Sequence, residues 1–267
     1  MTFRRIAADL VASDERYFEL GARVDPVAGV RLAWMVGLAD MLAACVVLDG
    51  DVWTDRVEVM TALDAVEERV REVGGSRVRL YLKREVSAVV EVLKDRGYSS
   101  REETGYVLPQ RIEGREKVSV QPVSSDADWT QKRTLHRESP DPPDGHEVAA
   151  ERWVELERRK TGPDGLSPWL ILVGDTVTGT AAIMDHGALM RLKNLLVHRD
   201  YRRRGIATAA IASFGIMAEE NGRTLGLFSV VGSPGDLVYR RCGMKPVARW
   251  VEWLGPPARR PSPRERP

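Results

Sequence analysis

The C-terminal half of the chain alternates short apolar runs with longer amphipathic ones in a regular order. From residue 118 the pattern predicts a strand in VSVQPV, helical segments to about Lys160, a loop at TGPDGLSP, and three strands in WLILVG, VTGTAAIMD and HGALMRLKNLLVH. The run AAIASFGIMAEE predicts a helix that stops at Asn221 and Gly222, a common C-terminal signal. A strand in LGLFSVV, a short helix around GDLVYRR and a final strand in KPVARWVEWL complete the half. RDYRRRGIAT therefore joins the end of a strand to the start of a helix, which is where α/β sheets usually bind ligands.

The N-terminal half reads as a compressed version of the same order. Residues 31–36 and 43–48 predict two buried strands joined by a turn at 37–40, and RVEVM a third. In LDAVEERVREVGG, Leu63, Val66, Val70 and Val73 share one helical face. A strand RVRLYL, a helix VSAVVEVLKDRG and a strand TGYVLP end the half near residue 110. Setting Gly97 against Gly243 aligns the two halves, and the comparison shows what the first lacks. No glycine lies between Gly50 and Gly74, so the expected third strand meets its helix without an anion-binding loop, and Leu93 stands where the second half has Tyr239. The expected organisation is α/β (α+β), with domains at 1–112 and 113–255, a link in QRIEGREK at 110–117, and a disordered Pro- and Arg-rich tail at 256–267.

Composition narrows the function. Forty Lys+Arg against 39 Asp+Glu give a net charge of +1, which is not the broad basic field of a nucleic-acid binder. Cys45 and Cys242 are far apart with no CxxC partner, which argues against a zinc site or a disulfide framework and suits a reducing, cytoplasmic setting. The N-terminus has no signal-peptide core. LAWMVGLADMLAACVVL, residues 32–48, is at the short limit for a membrane span and carries Asp40 in its middle, so the paired strands account for it better. Trp250 and Trp253 on the last strand read as packing residues, with the lining of an acceptor pocket at a domain junction as the alternative.

Three consecutive arginines and a glycine before a helix make a place for an anion. The first amides of a helix have no intrahelical partners and the dipole there is positive, so amides from Arg203 to Thr208 can hold a diphosphate. Gly205 allows close backbone approach, and Ala207 keeps the next turn small. Arg202, Arg203 and Arg204 can add charge-assisted bonds, and the Thr208 hydroxyl one more.

The run from Val197 to Ala207, V-x-x-x-Y-R-x-x-G-x-A, resembles the pyrophosphate motif of the GNAT superfamily of acyl-CoA-dependent N-acetyltransferases, and YRRCGM resembles that family's Y-x-x-x-G-F. The resemblance implies two tandem GNAT-like domains, each a mixed and mostly antiparallel sheet flanked by helices, with the first degenerate. It implies acetyl-CoA as co-substrate and direct transfer to a primary amine. Arg202, Arg203, Arg204, Gly205, Ile206, Ala207 and Thr208 would hold the diphosphate, and the backbone of Leu195, Leu196 and Val197 the pantetheine arm. Tyr239 would be the general acid for the departing thiolate. An Asn often found before the last helix is absent here, where Gly232 and Ser233 stand.

The predicted third strand of the second half carries no acid for a general base. Asp185, His186 and His198 are candidates, whereas His136 and His146 read as surface residues. Glu138, Asp141 and Asp144 in the acidic loop 137–147 could attract a cationic amine. A non-catalytic acyl-CoA-binding module and a nucleotide or phosphate binder are the rival readings. The expected assembly is a monomer whose halves mimic a dimer, or a homodimer, with no metal, membrane or nucleic-acid partner.

Overall fold

A computed structural model of the chain describes residues 3–48, 53, 55–83, 86–138 and 150–257. In chain order its first elements are α1 (Phe3–Glu19), β1 (Arg23–Val27), β2 (Val30–Trp34), β3 (Ala43–Leu48), α2 (Arg56–Glu72), β4 (Arg79–Leu82), α3 (Ser87–Asp95) and β5 (Ser99–Val107). There follow β6 (Ser119–Pro122), α4 (Asp126–Glu138), α5 (Ala150–Lys160), β7 (Ser167–Val173), β8 (Thr176–His186), β9 (Leu189–Val197), α6 (Ile206–Glu220), β10 (Thr224–Val230), α7 (Pro234–Arg241) and β11 (Lys245–Leu254). Contacts group these into two compact units, Ala22–Glu102 with Trp250–Pro267, and Met1–Gly21 with Glu103–Arg249. The units interleave the two halves of the sequence rather than following them one after the other.

The smaller unit is the sheet β1-β2-β3-β4 completed by the end of β11, with β3 and β4 parallel and the other pairs antiparallel. Leu63, Val66 and Val70 of α2 and Val89 and Leu93 of α3 bury their face against Leu32, Leu80 and Leu82. RVEVM is not a strand: it opens α2, because the Asp55 carboxylate accepts from the amides of Val57 and Glu58 at 2.8 and 2.9 Å and starts the helix there. The third strand is instead β3, and the first is β1, which the apolar pattern does not mark. Residues 32–48 are β2, a turn and β3, and no helix among the described residues is long and apolar enough to cross a membrane. Trp250 stacks near Tyr81, 5.0 Å between ring centres, and Trp253 lies in the core; both are packing residues.

The larger unit has the strand order β5-β10-β9-β8-β7-β6, where only β9 and β10 are parallel. Neighbouring residues of β7 face opposite sides: Ile171 packs with Ile211 and Phe214 of α6, and Leu170 with Leu135 of α4. Thus α6 covers one face and α4 the other. Both units are mixed, mostly antiparallel sheets flanked by helices. The series β7-β8-β9-α6-β10-α7-β11 repeats β1-β2-β3-α2-β4-α3-β5. The aligned glycines agree in detail. Gly97 and Gly243 both have φ 75, and each follows a helix closed by the same bond, Tyr98 N to Leu93 O at 2.9 Å and Met244 N to Tyr239 O at 3.1 Å. The 110–117 link carries no helix or strand, and it lies on α6: a Cβ on Gly114 would come within 2.6 Å of Ala209 Cα. Residues 258–267 of the expected tail fall outside the described residues.

The sequence pattern gave no sign of α1, which belongs to the larger unit. Ile6 and Leu10 pack on Val107 and Leu189, and its C-terminal carbonyls are held by the buried Lys160 Nζ, which donates to Tyr17 O and, at 3.2 Å, to Leu20 O. Its Asp14 is buried between two cations of β9, 2.9 Å from Arg191 Nη2 and 2.7 Å from Lys193 Nζ. Burial alone would raise the Asp14 carboxyl, but the two cations outweigh it and hold it below its ordinary value. Replacing Asp14 by Asn leaves the buried Arg191 guanidinium without its ion-pair partner and removes the nearest carboxylate from Lys193. We expect Asp14→Asn to lower the unfolding free energy in urea by about 3–5 kcal/mol, whereas a loss below ~1 kcal/mol would mean that the pair is not what neutralises β9.

Candidate active site

Strands β9 and β10 pair only at Leu189, Met190 and Arg191 of β9; beyond Arg191 they part, and β9 continues to Val197 against β8 alone. The β8–β9 register slips between Thr180 and Ala182, where two residues of β9, Asn194 and Leu195, lie opposite one of β8. Asn194 takes φ 53 in this bulge and is held by its side chain, which donates to Glu157 Oε1 of α5 at 2.6 Å. Glu157 is ion-paired at 2.8 Å with Lys132 of α4, which donates to Thr180 Oγ1 of β8 at 2.6 Å. Two fully buried charges on two helices therefore fix the kink that opens the sheet.

The fork contains a cavity of about 140 Å³, lined by β9 from Arg191 to Leu195, by Leu227 and Phe228 of β10, by Glu103 of β5 and by Tyr239 of α7. Pairing of Val230 with Glu103 and of Phe228 with Gly105 puts Glu103 on the α1 face of the sheet. Tyr239 enters from the α6 face, where it packs beside Tyr106 with ring centres 6.3 Å apart. Tyr106 donates to Asp236 Oδ1 and accepts from Arg240 Nε at 3.0 Å, so the helix carrying Tyr239 is tied to β5. Burial pushes the Tyr239 hydroxyl up to about 12, against a lowering by the Arg191 guanidinium. Tyr239 is thus a protonated phenol at neutral pH.

At the far end of β9, His198 opens a short 3-10 turn, Arg199–Tyr201, accepting from Asp200 N at 3.3 Å. Arg203 and Gly205 take left-handed conformations, φ 67 and φ 85, which turn the chain into α6. Gly205 caps α6 with no side chain, unlike Asp55 at α2 and Ser233 at α7, so the first amides of α6 keep their donors for an outside group. A Cβ at Gly205 would meet nothing within 4 Å, so the space before those amides is open. The α2 terminus, by contrast, already holds the Asp55 carboxylate. The segment 49–55 before it is mostly outside the described residues, so the expected lack of an anion loop there is not described.

Comparison with known proteins bears on the same stretch of the chain. Residues 129–235 match the model of the Acetyltransferase (GNAT) family. This segment is a GNAT domain. Among curated proteins none matches the sequence. A functionally unknown conserved protein from Staphylococcus epidermidis has a similar structure, with a TM-score of 0.70 at 11% identity over 90% of this chain and 96% of its own. The GCN5-related N-acetyltransferase from Kribbella flavida gives 0.66 at 18% over 94% and 96%. A tandem GNAT protein from the clavulanic acid biosynthesis pathway gives 0.54 at 13% over 92% and 87%. At these identities the likeness is one of fold.

Within the GNAT domain the sequence-derived residues fall in two groups. Leu195, Leu196 and Val197 form the free arm of the fork, and Ile206, Ala207 and Thr208 the first turn of α6. Thr208 Oγ1 accepts from the Cys242 thiol at 3.6 Å. Two of the three arginines brace the loop: Arg202 donates to Val197 O at 3.0 Å and Arg204 to Asp200 O at 2.8 Å. Tyr239 joins the cavity, but the candidate bases do not line it. Asp185 is exposed and 3.4 Å from Arg223, His186 ends β8, and His198 Nε2 lies 3.4 Å from Glu138. Asp141, Asp144 and His146 lie outside the described residues.

Glu103, Arg191, Asp14 and the bulge at Asn194 were missed. Their one sequence signal is the presence of Arg191, Lys193 and Asn194 inside an apolar strand. His136 is not a surface residue: it is largely buried beside Trp153, and burial, with Lys132, pulls it down to about 4 from an ordinary 6.5. Protonation therefore favours the unfolded chain, and stability falls as pH drops from 6.5 toward 4. Between pH 7.5 and 5 the wild type should lose about 2 kcal/mol more than His136→Phe in urea titrations, and equal losses would exclude a buried neutral imidazole.

Proposed function

We propose that the chain is an acetyl-CoA-dependent N-acetyltransferase that passes the acetyl group directly to a primary amine. The observation that carries this reading is the continuity of the β9–β10 fork with the uncapped start of α6, with Tyr239 at the fork. The amides from Gly205 to Thr208 bind the diphosphate, and the backbone of Leu195 to Val197 adds the pantetheine arm like another strand. The thioester then lies in the fork.

The amine nitrogen attacks the thioester carbonyl, the C–S bond breaks, and the sulfur takes the phenolic proton of Tyr239. A phenol raised by burial is a poor acid toward water, but it can protonate a thiolate that forms beside it. Residues 1–112 would then be a non-catalytic half, since Leu93 replaces the phenol and an acidic cap stands at α2. The acceptor amine must also lose a proton, to Glu103 or to water at the cavity.

Acetyl-CoA at about 100 times its Kd should raise the melting temperature by roughly 5–10 °C, because the added stability is ~2.7 kcal/mol. Gly205→Glu should abolish the rise and ATP should not reproduce it. A rise with ATP alone would instead support a nucleotide site. Tyr239→Phe should keep the acetyl-CoA shift and lose about 10²-fold or more in kcat. Unchanged kcat would remove the tyrosine from the reaction, and an acetyl-CoA shift with no release of CoA thiol on any amine would favour a binding module.

A further inference from the structure

The α1 face of the cavity holds charges of both signs, and these bear on the acceptor. Arg191 is almost wholly buried; its Nη1 donates to Leu192 O at 2.8 Å and its Nη2 bonds Asp14, but its Nε has no hydrogen-bond partner among the described residues. A buried guanidinium donor without an acceptor is costly and calls for an oxygen from elsewhere. Lys193 sits two residues on, on the same face of β9, with 14% of its side chain exposed. These two cations share the single carboxylate of Asp14. Across the cavity stands Glu103, close enough to act on the Lys193 charge.

We propose that the acceptor is a small amino-acid-type zwitterion, whose carboxylate is held by Lys193 and Arg191 Nε and whose amino group is held by Glu103. This rests on the acetyltransferase reading and adds the substrate class to it. A carboxylate supplies the oxygen that Arg191 Nε lacks and sets a further negative charge beside Lys193. Glu103 binds the ammonium, takes the proton that frees its lone pair, and directs the nitrogen into the fork, where Tyr239 enters from the opposite face; the second proton, lost after attack, passes to water. A cavity of about 140 Å³ suits a compact acceptor rather than a folded protein surface.

The test is a panel of matched acceptors at saturating acetyl-CoA, each small amino acid beside its decarboxylated amine, such as alanine with ethylamine and β-alanine with ethylamine, read by CoA thiol release. At least one amino acid should exceed its amine by about 30-fold or more in kcat/KM. Lys193→Met keeps the aliphatic stem and leaves Asp14 paired with Arg191, so the fold should persist, as a melt would check. It should raise KM for that amino acid at least tenfold, leave KM for acetyl-CoA unchanged, and bring the pair to within about threefold. Glu103→Gln should lower kcat/KM for the amino acid and its amine alike. Equal use of amine and amino acid, or discrimination that survives Lys193→Met, would overturn the proposal. So would an acetyl-CoA melting shift with no acetylation of any amino acid, a result that leaves the cofactor site standing; no shift at all would remove both.

Discussion

The larger unit depends on one buried ion pair between distant parts of the chain. Arg191 is placed in the middle of an apolar strand, where a charge without a counter-charge is among the costliest groups a core can hold. Asp14 supplies that counter-charge from α1. Lys193 shares it, and Asn194 reaches the Glu157–Lys132 pair of α5 and α4 instead. Three features of β9 thus each require a helix on one face of the sheet, and the last of them, the bulge at Asn194, lies where the strand has left β10. The fork is a consequence of where charge is allowed to be buried.

This arrangement divides the labour between the two sheet faces. On the α6 side are the open helix terminus and the phenol, groups suited to a long anionic co-substrate and its thiolate. On the α1 side are the cations, Glu103 and the phenylalanine ring of Phe228, which Arg191 covers at 5.1 Å. The splay joins the faces; under the proposed reaction it is where the amine and the thioester would meet. The smaller unit has the same order of elements and the same parallel pair, but its equivalent helix terminus is filled by its own aspartate.

What was legible in the sequence was local. The turn before α6, the matching glycines at 97 and 243, and the strands 43–48 and 189–197 are set by residues within a few positions of one another, and the structure has these elements in place. RVEVM misled because Val57 and Val59 satisfy a period of two as well as the start of a helical stripe, and only the bonds of Asp55 decide between them. α1 was overlooked because its charged residues mask a narrow stripe of Ile6 and Leu10. The α1 side of the cavity was illegible for a different reason: nothing near Arg191 in sequence names residue 14 as its partner, or residue 103 as its neighbour in the cavity.

Pairing of β5 with β10 and of the end of β11 with β4 carries a consequence for synthesis. The edge of β4 accepts Val251 opposite Leu82, so the smaller unit remains one strand short until residues 250–254 have left the ribosome. During that interval β4 presents unpaired backbone groups beside an apolar core, the kind of edge on which nascent chains associate with one another. Closing it joins residues far apart in sequence and is slow for entropic reasons. A chain that stops before residue 250 would therefore lose more than its last strand: it would leave the ribosome with an adhesive seam in its first half.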